Sequence, residues 1–399
     1  MSNKPTNKIQ DLQYFGEFGG VNPSISDSAT YTFLHAKTML DTFEGHAEGC
    51  YLYSRHSSPS NLYLSEALAA MEFTETANVA ASGMGAITSV FLQMCGAGDH
   101  IISGRTIYGG TYAFMKNFAP KFNISTSFVD ITSLEKVEAA ITPNTKMIYC
   151  ELESNPLLEI ANLPELAKIA KKHHIKLVVD NTFTPLIFSA QKLGADVTIH
   201  SLTKFINGTN DTVGGVVCGS QEFIDSLRNV NDGAAMLLGP VMDSLRAASI
   251  LKNLRTLHIR MKKHSENALY LADNFEKDGL KIVYPGLKSH KDHELFKSMY
   301  NKEYGFGGIM TVDVGTLEKA NELMELMQNE NLGYLAVSLG FYKTLFSAPG
   351  TSTSSEIPVD EQKKMGLSNG IVRMSVGLDN DIERTYRAMR KCMKQVGVL

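Results

Sequence analysis

Cysteine is scarce and badly placed for chemistry: Cys50, Cys95, Cys150, Cys218 and Cys392 are odd in number and form no CxxC pair. That excludes a disulfide framework and argues against a zinc site, and the three in apolar runs read as small core residues. The eleven histidines contain no HExxH, so no metal centre is expected. GxxxxGK[ST] is absent. So is GxGxxG, because Gly83-Met84-Gly85 is followed by Ala86, Ile87 and Thr88, which disfavours a dinucleotide site. A formal net charge of -4 offers no electrostatic case for nucleic acid or an anionic membrane. The N-terminal stretch lacks an apolar segment, and no run of about eighteen apolar residues occurs. The expectation is a cytoplasmic protein with no membrane span.

What is present suits a soluble α/β enzyme: 399 residues, 43% of them hydrophobic, with 32 glycines. Residues 1–57 have weak periodicity and clustered aromatics, the pattern of an extended arm that packs on a neighbour. Residues 58–253 alternate strand and helix patterns, which implies a mostly parallel sheet covered on both faces. Strands are expected at 100–103, 124–129, 147–152, 176–180, 197–201 and 215–218, with helices opening after Ala81-Ser82-Gly83 and spanning 163–172. A long helical pattern from about Val241 to Leu271 leads into a smaller α+β domain, 254–399, with strands at 308–314, 334–339 and 371–377 and a final helix from about Asn380.

Two apolar runs deliver functional groups where they end. Leu177-Val178-Val179 precedes Asp180, and Val197-Thr198-Ile199 precedes His200, Ser201, Thr203 and Lys204. A cofactor whose ring nitrogen needs a carboxylate and whose aldehyde needs an amine would fit between Asp180 and Lys204, and pyridoxal phosphate is such a cofactor. Ser82, Gly83 and Met84 open a helix, where unpaired N–H groups and the dipole favour a phosphate. Arg55 offers a planar fork for the same dianion. Tyr108 and Asn155 follow strands at the same sheet edge, the tyrosine placed to stack on a flat ring. Arg373 lies inside an apolar strand, where a charge needs an anion such as a substrate carboxylate.

Tyr53-Ser54-Arg55, Ser82-Gly83-Met84, Tyr108-Gly109-Gly110-Thr111, Asn155-Pro156, Val179-Asp180-Asn181-Thr182, Ser201-Leu202-Thr203-Lys204, Val337-Ser338-Leu339-Gly340 and Arg373-Met374-Ser375 resemble, in order, the motifs of the cysteine and methionine metabolism family of pyridoxal phosphate enzymes. Within that family the chain is most similar to methionine γ-lyases of the plant type, through Met236-Leu237-Leu238-Gly239-Pro240, Tyr284-Pro285-Gly286-Leu287 and Ser352-Thr353-Ser354-Ser355-Glu356. The resemblance implies fold type I, the aminotransferase-like architecture, and a tetramer of two dimers with shared active sites. It implies that Lys204 holds the cofactor covalently and Asp180 partners its ring nitrogen. Ser82, Gly83, Met84, Ser201 and Thr203 would contact the phosphate, with Tyr53 and Arg55 supplied by the neighbouring subunit. Tyr108 would stack and act as an acid, and Asn155 would contact the cofactor. Ser338 and Arg373 would hold the substrate α-carboxylate, with Tyr53 and Gly110 facing the substrate.

The implied reaction is γ-elimination of L-methionine to methanethiol, 2-oxobutanoate and ammonia, extending to homocysteine, cystathionine or cysteine. γ-Replacement by an O-acylhomoserine sulfhydrylase or cystathionine γ-synthase shares its early steps, and a catalytically silent binding module is the reading from another class. Gly110, where many bacterial relatives have cysteine, Asn231 and Lys343 depart from the usual pattern and bear on the far end of the substrate.

Overall fold

The computed structural model describes residues 4–47, 49–352 and 355–399. Thr353 and Ser354, part of the 352–356 motif, lie outside the described residues. A seven-stranded sheet is built from β1 (Thr76–Ala80), β2 (His100–Gly104), β3 (Ser125–Val129), β4 (Thr145–Glu151), β5 (Lys176–Asp180), β6 (Val197–Ser201) and β7 (Gly215–Gly219), in the order β1-β7-β6-β5-β4-β2-β3. All strands point one way except β7, which runs antiparallel to β1 and β6.

Coverage on both faces explains the unbroken apolar runs. Leu177, Val178 and Val179 of β5 are all fully buried, although their side chains alternate between the faces. In β4 the alternation sends Ile148 and Cys150 to the core shared with helix Pro59–Glu72, while Met147 and Tyr149 join Ile87, Val90 and Phe91 of helix Gly83–Met94. Four of the five cysteines are buried, in keeping with a packing role. Among the described residues no helix is long and apolar enough to cross a membrane.

The C-terminal part holds a second sheet of β8 (Lys281–Val283), β9 (Ile309–Asp313), β10 (Tyr334–Leu335), β11 (Leu345–Ser347) and β12 (Ile371–Ser375), in the order β10-β11-β12-β9-β8. Only β10 and β11 pair in parallel. Its core contains Leu271 and Phe275 of helix Leu257–Lys277, Leu323 and Met327 of helix Leu317–Asn329, and Met389 of helix Ile382–Gln395.

Three expectations change. The helical pattern from Val241 is broken into Ser244–Leu254 and Leu257–Lys277, and at the break the Thr256 hydroxyl donates to the Asn253 carbonyl (3.0 Å), a side-chain bond that competes with the helix ladder. The strand at 334–339 ends at Leu335, because the chain turns away to bring Ser338 to Lys204. The N-terminal arm is partly helical, over Pro5–Asp11 and Ala36–Phe43, and Ile9 and Leu12 pack on the first core. Others of its apolar groups find no cover among the described residues: Phe18 and Leu34 are 99% and 97% exposed.

Candidate active site

The carboxyl edge of the parallel strands is where the functional groups gather, as expected for an open α/β sheet. Register pairs Glu151 at the end of β4 with Asp180 at the end of β5, and Asp180 with Ile199 of β6, two residues before Ser201. Lys204 follows in the turn. A cavity of about 500 Å³ opens at this edge, lined by Ser82, Gly83, Met84, Tyr108, Asn155, Asp180, Ser201, Thr203, Lys204 and Arg373. Ten of the expected site residues thus share one space, of a size suited to a small ligand.

Hydrogen bonds fix most of these groups. Lys204 Nζ donates to Ser338 Oγ (3.2 Å), whose own proton goes to Asn210 Oδ1 (2.8 Å). The segment carrying Ser338 turns at Gly340, with φ +78; a Cβ there would lie 2.5 Å from Phe205 N, so glycine allows the second sheet's loop to reach the lysine. Asp180 Oδ1 accepts the Thr182 N–H (2.9 Å), and Thr182 Oγ1 accepts the Ser201 N–H (2.8 Å), which ties the β5 and β6 ends together. Arg373, buried at 2% exposure, donates to Asn155 Oδ1 (3.0 Å).

Burial dominates the electrostatics. It lowers the Lys204 amine to about 8, with the Arg373 charge adding to the effect, so free amine is accessible near neutral pH. Burial also lowers Arg373 to about 10, partly offset by Glu151. Burial raises Asp180, and burial together with Asp180 pushes Glu151 up to about 8. Two carboxyls in one dry space disfavour each other's charge, and a cationic ring nitrogen would relieve that.

At the start of helix Gly83–Met94, Ser82 Oγ accepts the Gly85 N–H (2.9 Å), which leaves the Gly83 and Met84 N–H groups without intrahelical partners. A Cβ on Gly83 would stand 2.9 Å from Ser201 Cβ, so the glycine keeps this helix end close to Ser201. Together they form a cradle for a phosphate.

Tyr53 and Arg55 are not brought to Lys204. The Arg55 guanidinium lies over the Tyr53 ring, 5.4 Å from its centre, and Arg55 lines a separate polar cleft with Arg228 and Pro240. Gly110 does not line the cavity but lies against Tyr108: a Cβ would fall 2.6 Å from its Cε1. Asn231 is exposed, and Lys343 stands 4.9 Å over the Tyr334 ring; neither is among the residues lining the cavity of this chain.

Two lining carboxyls escape a reading from sequence. Glu151 accepts the backbone N–H groups of Tyr108 (2.6 Å) and Asn155 (2.8 Å), so one side chain holds both flanking loops. The signal that picks out Asp180, a carboxylate ending an apolar strand, applies equally to Glu151. Glu153 lies two residues further and also lines the cavity.

The sequence pattern described as "Cys/Met metabolism PLP-dependent enzyme" matches residues 6–385. A methionine gamma-lyase of Arabidopsis thaliana is 43% identical over 394 residues, 97% of this chain and 89% of that protein. A cystathionine gamma-lyase of Bacillus subtilis is 37% identical over 83% of this chain and 85% of its own. Among solved structures, a putative O-acetylhomoserine (thiol)-lyase from Campylobacter jejuni, carrying N'-pyridoxyl-lysine-5'-monophosphate, has a TM-score of 0.90 at 28% identity and covers 98% of this chain and 100% of that one. The architecture is the type I fold of pyridoxal phosphate enzymes. The residues present suit that cofactor: a lowered amine, a carboxyl on the adjacent strand end and a glycine-lined helix start share one cavity.

Proposed function

The chain belongs to the Cys/Met metabolism family of pyridoxal phosphate-dependent enzymes, and from that premise we propose that it catalyses γ-elimination of L-methionine, giving methanethiol, 2-oxobutanoate and ammonia with uptake of one water. The observation that carries this reading is the buried Arg373 guanidinium in one cavity with the Lys204 amine, bordered by apolar Val213, Val337 and Leu339. Such a space suits an amino acid with an α-carboxylate at one end and a thioether at the other. The methionine gamma-lyase relative supports that choice of substrate.

Each residue then has a task. Arg373 and Ser338 hold the α-carboxylate, with two parallel bonds to the guanidinium. Lys204 would hold the cofactor covalently. Bound pyridoxal phosphate supplies a conjugated sink for the electron pair left when Cα loses its proton. Lys204, poised near 8, removes that proton and later moves protons to and from Cβ. Asp180 keeps the ring nitrogen protonated. Met84 and Gly83 N–H groups, Ser82, Ser201 and Thr203 bind the phosphate, and Asn155 fixes the ring. Tyr108 donates the proton that the departing γ-thiolate takes up.

The site is completed by a second copy in this reading. Tyr53 and Arg55 do not line the cavity of their own Lys204, and the arm's exposed Phe15, Phe18, Leu34 and Phe43 need a covering surface. We assign them to a neighbour's phosphate within a tetramer of two dimers, in the cytoplasm.

γ-Replacement is the second reading, favoured by the likeness to the putative O-acetylhomoserine (thiol)-lyase. A panel of methionine, homocysteine, cystathionine, cysteine and O-acetylhomoserine, each with and without added thiol, separates the two. Methanethiol and 2-oxobutanoate from methionine alone support elimination. Thioether formation from O-acetylhomoserine and thiol, with methionine inert, would replace it by γ-replacement.

A further inference from the structure

Glu153 is a buried carboxyl that the mechanism above does not use. It is 3% exposed, its backbone is pinned by a bridge to Ile160, and its side chain lines the cavity that holds Lys204. Oε1 has no hydrogen-bond partner among the described residues. Oε2 lies near Gly307, where a Cβ built on the glycine would stand 3.7 Å from it and 3.7 Å from Ile187 Cδ1. Among the described residues no N–H group donates to Oε1, in contrast to the pair that grips Glu151.

Burial without a counter-charge keeps this carboxyl protonated, well above the ordinary carboxylate range. A neutral carboxyl carries one hydroxyl hydrogen, and an unpaired buried donor is costly. No protein acceptor is engaged by Oε1 among the described residues, so the acceptor is expected on whatever fills the cavity. The cavity's own charged donors, Lys204 and Arg373, mark its occupants as rich in anionic oxygen.

We propose that Glu153 is a binding residue of this site, its carboxyl hydroxyl donating a hydrogen bond to an anionic oxygen of a cavity occupant. Two occupants carry such an oxygen: the ring phenolate of pyridoxal phosphate, and the α-carboxylate of the amino acid, the latter resting on the function proposed above. A hydroxyl donor to a charged acceptor makes one of the stronger hydrogen bonds, and it adds no net charge beside Lys204.

The test uses the full chain with Glu153→Gln, which keeps a neutral donor of the same shape, and Glu153→Leu, which keeps the bulk without a donor. Glu153→Ala, which cannot overpack, serves if leucine is not accommodated. Three quantities are read: the melting temperature of the cofactor-free protein, the cofactor dissociation constant by equilibrium dialysis, and KM for amino acid. The donor-free variant should leave the cofactor-free melting temperature unchanged or higher while weakening one ligand about tenfold, and Glu153→Gln should stay within about twofold of the parent. If the cofactor is the acceptor, its affinity falls and the resting visible band shifts before any amino acid is added. If the substrate is the acceptor, the resting band and cofactor affinity hold and KM rises. The cofactor arm does not depend on which amino acid is turned over, so it stands apart from the proposed reaction. Parental affinities in the donor-free variant would overturn the proposal. So would a glutamine variant as impaired as leucine, or a donor-free chain destabilised without cofactor.

Discussion

Replacing Arg373 by methionine should separate binding from folding in a way few buried residues allow. The guanidinium is 2% exposed and makes a hydrogen bond to a neutral group, Asn155 Oδ1. Its lowering from 12.5 to about 10 corresponds to a charge-burial penalty on the order of 3 kcal/mol. The folded value lies below the unfolded one, so the penalty is fully present at neutral pH and is relieved only as pH rises above about 10. Arg373→Met removes that penalty and leaves Asn155 Oδ1 short of a partner, at about 1 kcal/mol. Substrate-free protein should therefore be as stable as the parent, or more so, in denaturant unfolding. Losing a paired, desolvated carboxylate contact costs about 3 kcal/mol, so KM for methionine should rise by roughly two orders of magnitude. An analogue without the carboxylate, 3-(methylthio)propylamine, should bind parent and variant alike. The reasoning fails if stability drops by the 3 to 5 kcal/mol typical of a broken buried ion pair while KM barely moves. Arg373 would then be an internal structural charge.

Lys204→Met should abolish turnover and stabilise cofactor-free protein at pH 7 by on the order of 3 kcal/mol, because the folded amine near 8 lies below its unfolded 10.5. That gap should close between pH 8 and 10.5 in denaturant titrations; a pH-independent gap would remove the buried amine from the account. Tyr108→Phe should slow methanethiol release more than the spectral change on substrate binding in stopped flow, and equal slowing of both would dismiss Tyr108 as the acid. Arg55→Ala and Lys204→Ala chains, each inactive alone, should regain roughly a quarter of parental activity when mixed subunits reassemble, since half the dimers then carry one intact site. No recovery would mean that Arg55 serves its own chain.

Legibility followed burial pattern. The β5 and β6 strands are covered on both faces, so their apolar runs stop where the chain meets the cavity, and Asp180 and Lys204 announce themselves by position. β1 sets alanine and asparagine around its two β-branched residues, Thr76 and Val79, and is held by pairing with β7, which leaves little local signal. β8 and β11 span three residues each, too short for a period to register. The arm's helices carry no clear sequence signal because their apolar side chains largely lack a core to face among the described residues. Glu151 and Glu153 were hidden for a different reason: a carboxylate near a strand end is ordinary, and only its partners, or the want of them, mark it out. Arg373 was legible because a charge in an apolar strand is expensive, yet its contact with Asn155 joins residues 218 positions apart.

The most direct test is to reduce the cofactor-loaded protein with borohydride, digest it and map the pyridoxyl mass. The account predicts a single modified peptide carrying the label on Lys204, whose lowered amine lines the cavity beside Asp180. Label on another lysine, or none on a yellow, active protein, would contradict it.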